Sequence, residues 1–190
     1  MPMLLPTLRF PKPLDMHVHL RQGPLLLRTV VPYTARYFSR ALVMPNLIPP
    51  IRTSGDVSRY RQEILAASDE CGHEFEPLMT FKILPDTNPG MLQGLLDAGA
   101  VAGKVYPKGL TTHAEDGVDD YFALHRVFAA MEELGLVLCL HGEKPGEGIE
   151  GFNREWAFLR TLSYIARTFP KLRIVMEHIR EIETLFPVRH

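Results

Sequence analysis

The side chains of this chain that could do chemistry are histidines at the ends of short apolar runs and one lysine inside such a run. His17 and His19 end the first run. Because side chains alternate along a strand, their two rings point the same way and can contact one metal ion. His141 and His178 end two later runs, and Lys104 lies within another. A lone histidine is more often structural, and a His-x-His pair alone is a weak indication. Histidines at three strand ends, together with a lysine, favour a metal site.

Lys104 lies in an otherwise apolar strand, between Gly103 and Val105. Burying a free ammonium group is costly unless the group is paired or modified. A lysine that is carbamylated by carbon dioxide is instead an anion, and its two oxygens can bridge two metal ions. Zinc accepts nitrogen and oxygen ligands of this kind and keeps a position open for water.

One structural unit recurs along the chain: a short apolar run, a loop marked by Gly, Pro or Asn, and a helical pattern. The runs predict strands over residues 14–20, 40–44, 77–84, 101–106, 136–140 and 172–176. The helical patterns predict helices over residues 25–37, 54–67, 90–98, 118–134, 153–169 and 181–186. Ser54 is the predicted N-cap of the second helix, and Gly135 ends the fourth.

Alternation of strands and helices predicts an α/β fold with a parallel sheet of βαβ units. Six units are compatible with an open doubly wound sheet or with part of a barrel. A complete TIM barrel has eight strands and about 250 residues. In both architectures the ligand site lies at the carboxyl ends of the strands, where the histidines are expected.

The composition is that of an ordinary globular protein, with 190 residues, 46% hydrophobic residues and a formal net charge of -1. This charge gives no electrostatic reason to expect a nucleic-acid or membrane partner. Cys71 and Cys139 lack metal-site spacing and suggest no disulfide framework. A cytoplasmic location is therefore expected.

Several short motifs follow one another in a characteristic order between about Phe10 and Ile179. They are Asp15-Met16-His17-Val18-His19-Leu20-Arg21, Met44-Pro45-Asn46-Leu47-Ile48-Pro49-Pro50, Lys104-Val105-Tyr106-Pro107, Thr111-Thr112, His141-Gly142-Glu143 and Glu177-His178-Ile179. In this order the chain resembles the dihydroorotases, and most closely their short bacterial type. The resemblance implies a TIM-barrel amidohydrolase fold that is partial, with the first six βα units. Residues 1–190 would form a single incomplete domain, and residues 180–190 depart from the family pattern.

The resemblance also implies a centre with two zinc ions. His17 and His19 correspond to ligands of the more buried zinc. Carbamylated Lys104 corresponds to the bridge between the zinc ions, and His141 and His178 correspond to ligands of the second zinc.

By the same resemblance, Arg21, Asn46 and His141 contact the substrate, and the first two hold its carboxylate. Arginine suits that role because its planar fork can meet a carboxylate with two hydrogen bonds. Thr111 and Thr112 correspond to the tip of a mobile loop that closes over the substrate. From the residues alone, Arg21 could instead form a surface salt bridge, and the two threonines could lie in a plain solvated loop.

The implied activity is the interconversion of dihydroorotate and N-carbamoyl-L-aspartate in de novo pyrimidine biosynthesis. The family uses an aspartate at the end of strand eight to transfer a proton, and no residue of this chain matches it. No catalytic residue is therefore assigned. Two alternatives remain open, a non-catalytic scaffold or truncated fragment, and a hydantoinase or allantoinase type of cyclic amidohydrolase. Arg21 with Asn46 argues against the second alternative.

A barrel with six strands has open edges on its first and last strands. Exposed strand edges favour pairing with another chain. We therefore expect a homodimer, or a partner that covers these edges.

Overall fold

The computed structural model of this chain describes residues 9–146 and 148–180. The helix predicted over residues 181–186 lies outside the described residues, as does nearly all of the segment that departs from the family pattern.

Strands and helices alternate along the described chain, as predicted. The strands are β1 (Leu14–Val18), β2 (Arg40–Val43), β3 (Glu76–Ile83), β4 (Ala100–Val105), β5 (Val137–His141) and β6 (Arg173–Glu177). The helices are α1 (Pro24–Tyr37), α2 (Ser54–Cys71), α3 (Leu92–Asp97), α4 (His125–Leu134) and α5 (Arg154–Thr168). Short 3-10 turns precede α3, α4 and α5. Most predicted strand bounds differ from the observed bounds by one or two residues.

All six strands are parallel and lie in chain order, so that β1 and β6 form the two edges of the sheet. A doubly wound sheet would reverse its strand order at a switch point. The sheet therefore has the topology of six consecutive βα units of a TIM barrel, and the predicted fold class is confirmed. We call this sheet with its helices the half-barrel.

The two faces of the half-barrel sheet differ in polarity. The outer face packs against the helices in one large apolar core, to which β2 contributes Ala41 and Val43. Leu42 points to the other face, where it joins a small apolar cluster with Met44, Ala102 and Cys139. Side chains alternate between the two faces along a strand. Lys104 and His141 each lie two residues after a member of this small cluster, and they are therefore also on the inner face.

One predicted N-cap and one predicted helix start were wrong. The N-cap of α2 is Thr53, not Ser54, because the Thr53 hydroxyl accepts the Asp56 N–H and the Asp56 carboxylate accepts the Thr53 N–H. The fourth helix begins at His125, not at residue 118. Val118 instead forms a parallel bridge with Pro107, and its N–H donates to the Tyr106 carbonyl at 2.9 Å. This pairing holds Val118 out of the helix.

The C-cap prediction for α4 was correct. Gly135 follows the helix with a φ of 67°, the left-handed conformation that glycine adopts without a steric penalty. Within residues 9–146 and 148–180, no helix combines the length and the apolar character needed to cross a bilayer.

Candidate metal centre and adjoining pocket

The structure brings the predicted ligand residues together at the carboxyl ends of the strands. The Nε2 atoms of His17 and His19 are 3.2 Å apart. The ring centroid of His178 lies 5.2 Å from that of His17 and 4.5 Å from that of His141. Lys104 reaches the same place from β4, and we call these five residues the imidazole cluster. The roles of the individual residues stay predictions.

Strand register accounts for most of this convergence. Lys104 pairs with Cys139 across β4 and β5, and His141 pairs with Glu177 across β5 and β6. His178 follows Glu177 directly and would face away from the cluster if the strand continued regularly. Its φ of 42° lies in the left-handed region, so the backbone turns and its ring can contact His141.

The four imidazoles are held neutral at physiological pH. Burial is the largest cause of the lowering of each pKa, to about 3 for His141 and to about 4 for His17, His19 and His178. The positive charge of Lys104 lowers all four further. A neutral imidazole has a free nitrogen lone pair, which is the form that binds metal ions.

Lys104 is fully buried and contacts the Glu177 carboxylate. Its Nζ also lies 5.1 Å from the centroid of the Tyr106 ring. Burial lowers the pKa of Lys104 to about 7, whereas the contact with Glu177 acts in the opposite direction by stabilising the ammonium. The prediction that a buried Lys104 must be paired or modified agrees with this contact.

Glu177 lies against the imidazole cluster, and sequence reasoning assigned it no role. Its side chain is 3% exposed, and its Oε1 lies 3.1 Å from His17 Nδ1. These two atoms make no aligned hydrogen bond with each other or with any other described residue. The sequence does contain an indication, since a glutamate ends the apolar run directly before a predicted ligand.

The donor set fits a metal ion. Nitrogen or oxygen atoms of His17, Glu177 and His178 all lie within 4.8 Å of one another. His17 Nδ1 and Glu177 Oε1 are buried without an aligned partner among the described residues, and such atoms usually have a ligand, an ion or water. Imidazole nitrogens and carboxylate oxygens are ligands that zinc accepts.

A cavity of about 280 Å³ adjoins the imidazole cluster. Arg21 and Asn46, the residues predicted to hold a carboxylate, both line it. The other lining residues are His19, Gln22, Leu26, Met44, Leu47, Ile48 and His113. Arg21 is exposed, and it forms no ion pair with any residue of 9–146 or 148–180. Its guanidinium group is thus available to a ligand, and the surface salt bridge is not found in the described structure.

Residues 107–118 form a loop after β4, which we call the β4 loop, and it packs against this cavity. Asn46 Nδ2 donates to the Thr112 carbonyl at 3.5 Å. Thr111 and Thr112 do not line the cavity, whereas His113 does. His113 is a second residue that sequence reasoning missed, although it directly follows the predicted loop tip.

Comparison with known proteins gives dihydroorotases among the relatives of this chain. No protein-family model matches the chain. A curated dihydroorotase from Ruegeria sp. (strain TM1040) is 46% identical over 175 residues, and one from Acidovorax sp. (strain JS42) is 45% identical over 174 residues. Each match covers 91% of this chain and 50% of the relative.

Two solved structures that resemble this chain are also dihydroorotases. A dihydroorotase from Campylobacter jejuni superposes with a TM-score of 0.80 at 37% identity, over 92% of this chain and 49% of the other. A dihydroorotase from Saccharomyces cerevisiae, in complex with 5-fluoroorotic acid, gives a TM-score of 0.79 at 36% identity, over 88% and 47%. An L-hydantoinase from Arthrobacter aurescens, at 17% identity and a TM-score of 0.67, shares the fold. The chain spans about half the length of the curated relatives that it matches, and over about nine-tenths of its own length it is similar to dihydroorotases.

Proposed function

We propose that this chain carries the metal-binding and carboxylate-binding part of a dihydroorotase-type cyclic amidohydrolase. Its ligands would be dihydroorotate and N-carbamoyl-L-aspartate, which pyrimidine biosynthesis interconverts. The observation that supports this most is the imidazole cluster, with four neutral imidazoles and Lys104 at one end of the half-barrel. A cavity lined by Arg21 and Asn46 lies beside it.

In this proposal His17 and His19 would hold one zinc ion, and His141 and His178 would hold a second. Lys104, once carbamylated on Nζ, would be a ligand to both. When bound, the metal pair supplies a hydroxide at neutral pH and a Lewis acid for the ring carbonyl. In the metal-free chain Glu177 lies against the Lys104 ammonium and His17 and fixes the positions of both side chains.

The substrate carboxylate would lie between the Arg21 guanidinium and the Asn46 amide. Arg21 is exposed toward the cavity and provides a charged fork, whereas Asn46 is 8% exposed and fixed in place. Together they orient the ring so that its amide faces the imidazole cluster. This arrangement favours a carboxylated ring over a plain hydantoin.

Turnover also requires a group that moves a proton to the leaving nitrogen. The family resemblance assigns it to an aspartate on an eighth strand, and the described residues form six strands. We therefore propose ligand and metal binding for these residues, with turnover dependent on a carboxylate from further strands or from a partner. A non-catalytic scaffold would share the binding and lack the turnover.

The edges of the half-barrel support the proposal of a partner or a homodimer. Leu14 and Met16 on β1 are 51% and 54% exposed, and Val175 on β6 is 42% exposed. Apolar side chains on an unpaired strand edge are a common site of association. The mass of the purified chain in solution, measured by light scattering, distinguishes a dimer from a monomer.

A cytoplasmic location belongs to the same proposal, and Cys71 and Cys139 are free, as suits a reducing compartment.

The test of the proposed function measures zinc content and ligand turnover on the purified chain. We expect zinc to be retained in dialysis against a weak chelator, and a His17→Ala, His19→Ala variant to lose at least half of it. His73→Ala is the matched control, because His73 lies at the amino end of β3, away from the cluster. Equal zinc loss in the control and the variant would contradict the site. Zinc retention without turnover of dihydroorotate would favour the scaffold.

A further inference from the structure

A second buried lysine lies next to Lys104 on the inner face of the half-barrel. Lys82 on β3 pairs with Lys104 in the strand register, and its side chain is 2% exposed. An ammonium group this deeply buried must be compensated by charge and hydrogen bonds. Its partners therefore show what holds this part of the inner face together.

Both hydrogen-bond partners of the Lys82 ammonium come from the β4 loop. Its Nζ donates to the His113 carbonyl at 2.7 Å and to Asp116 Oδ1 at 2.5 Å. Asp116 is half-exposed, whereas Lys82 is not. If the loop lifted, Asp116 could be solvated, but Lys82 would stay buried without a hydrogen-bond partner for its ammonium, which would face only the Tyr106 ring, 5.9 Å from Nζ. The uncompensated buried charge therefore destabilises the open state of the loop relative to the closed state.

The loop segment held by Lys82 is the part that contacts the ligand cavity. His113 Nδ1 lies 3.3 Å from the Asn46 carbonyl oxygen, and Asn46 Nδ2 donates to the Thr112 carbonyl. The His113 side chain lines the cavity together with Arg21. Lys82 and the cavity are therefore connected through one residue, with its backbone on Lys82 and its ring at the cavity.

We propose that Lys82 is a positioning residue that holds the β4 loop closed, so that His113 forms one wall of a pocket for a small carboxylate. The identity of the ligand rests on the proposed function, whereas the closing of the loop by Lys82 does not. The cavity volume of about 280 Å³ fits a single ring with a carboxylate rather than an extended polymer. Arg21 would meet the carboxylate, and the closed loop would exclude water from it.

The position of the loop can be measured without a ligand by limited proteolysis. Trypsin cleaves after Lys108, and the next residue, Gly109, donates its N–H to the Ala114 carbonyl at 2.8 Å. This hydrogen bond and the closed loop must open before cleavage. The initial rate of cleavage at Lys108–Gly109, followed by mass spectrometry of the purified 190-residue chain, therefore reports the open population.

Lys82→Met removes the charge and keeps the length of the side chain. We expect cleavage at Lys108–Gly109 to become faster by about tenfold or more, because each hydrogen bond to a charged group shifts an equilibrium by about that factor. The thermal midpoint should stay the same or rise, since an apolar replacement for a buried ion is often neutral or stabilising. A purely structural role would instead lower the midpoint and speed cleavage throughout the chain.

Two further variants keep the test decisive. Asp116→Asn changes the residue on the loop side of the pair and should also make cleavage at Lys108–Gly109 faster. The cleavage rate of the double variant should be only slightly higher than that of Lys82→Met, because both changes act on one interaction. Lys171→Met is the matched control, since Lys171 is exposed and precedes β6. Unchanged cleavage at Lys108–Gly109 in Lys82→Met and in Asp116→Asn overturns the proposal.

The proposed binding of a small carboxylate is tested by a separate measurement. N-carbamoyl-L-aspartate added to the unmodified chain should slow cleavage at Lys108–Gly109, and its dissociation constant, measured by calorimetry, should rise about tenfold in Lys82→Met. If the probe neither binds nor protects, the carboxylate pocket and the proposed function fail. A faster cleavage in Lys82→Met would then still establish the role of Lys82 in holding the loop.

Discussion

Two neighbouring lysines of the half-barrel show how the location of a partner decides what a buried charge does. Lys82 and Lys104 pair in the register of β3 and β4 and are both almost completely buried. The partner of Lys104 is Glu177, which is 3% exposed and lies on a strand. The partner of Lys82 is Asp116, which is 49% exposed and lies in the β4 loop.

This difference separates a fixed site from a movable one. Glu177 is held by the pairing of β6 with β5, so Lys104 and its partner keep their places whether or not a ligand is present. Asp116 can leave Lys82 only if the β4 loop moves. The first pair therefore supports the geometry of the imidazole cluster, and the second couples the loop to the sheet.

The largest effect is expected for Lys104→Met. In the zinc-loaded chain, loss of the amine removes the proposed bridge between the metal ions. In the metal-free chain, where Lys104 is an unmodified ammonium, it leaves Glu177 buried without its counter-charge. Such a change typically costs about 3–5 kcal/mol of stability. Zinc content per chain should fall to half or less, measured by atomic absorption after dialysis, and the free energy of unfolding should fall in urea titration.

Lys82→Met is the comparison variant for zinc, since it removes the neighbouring lysine and should leave the zinc content unchanged. If both variants lose zinc equally, the distinction between the two lysines is wrong. A Lys104→Met, Glu177→Gln double variant removes both charges and should recover part of the lost stability.

The next effect is expected for Glu177→Gln. Glutamine keeps the shape and can still accept a hydrogen bond, but in the metal-free chain it no longer balances the Lys104 charge or places a negative charge 3.1 Å from His17 Nδ1. Loss of an outer partner of metal ligands usually costs 10- to 100-fold in affinity, so we expect a loss of about that size in competition with a zinc chelator. Glu143→Gln is a useful comparison, because Glu143 is 17% exposed and lies 3.7 Å from His141 Nε2. A larger loss in Glu143→Gln than in Glu177→Gln would argue against the central place of Glu177.

Much of the fold could be predicted from the sequence because it depends on local patterns. Apolar runs gave all six strands, and their regular alternation with helices gave the parallel sheet. The start of α4 could not be predicted in this way. Val118 continues an apolar helical pattern, but its pairing with Pro107 depends on the loop folding back. Such a contact overrides local preference.

The residues predicted as metal ligands lie close together because they occupy strands whose carboxyl ends meet at one edge of the sheet. Lys82 and Glu177 were missed because their partners are distant in sequence, 34 residues for the Lys82–Asp116 pair and 73 for the Lys104–Glu177 pair. A single amino-acid sequence does not indicate which distant residues form such pairs. The ring of His113 was missed because the direction of a loop side chain follows from the loop fold and not from its residue type.

A smaller effect is expected for Gly117→Ala, which acts on the β4 loop without changing Lys82. A Cβ at Gly117 would lie 2.7 Å from the Tyr106 carbonyl oxygen and 2.8 Å from Lys108 Cα, and neither backbone atom can move freely. Overpacking of this kind costs about 1–3 kcal/mol. Cleavage at Lys108–Gly109 should become faster while the zinc content stays the same.

Gly94→Ala is the control for this change. Gly94 lies in α3, and an added Cβ would meet nothing within 4 Å. Alanine should therefore stabilise the helix by about 0.5–1 kcal/mol and leave the loop cleavage rate unchanged. A Gly117→Ala variant with normal loop cleavage would show that the loop is held by Lys82 and not by this close backbone contact.

The smallest effect is expected for the exposed ion pair of Arg52 with Asp86, which extends the comparison of ion pairs to the surface. The two side chains are 41% and 69% exposed, and their atoms lie 2.7 Å apart. Hydrogen bonding from Arg52 lowers the pKa of Asp86 from its ordinary value of 3.8. The pair therefore stabilises the fold above that pH and loses this contribution as the pH falls below it.

Exposed pairs are worth about 0–1 kcal/mol, so Asp86→Asn should change the free energy of unfolding by less than about 1 kcal/mol at pH 7. The difference in free energy of unfolding between the variant and the unmodified chain, measured by urea titration, should become smaller below pH 4. High salt should also make it smaller. A loss at pH 7 as large as that of Lys104→Met would show that burial does not rank these ion pairs.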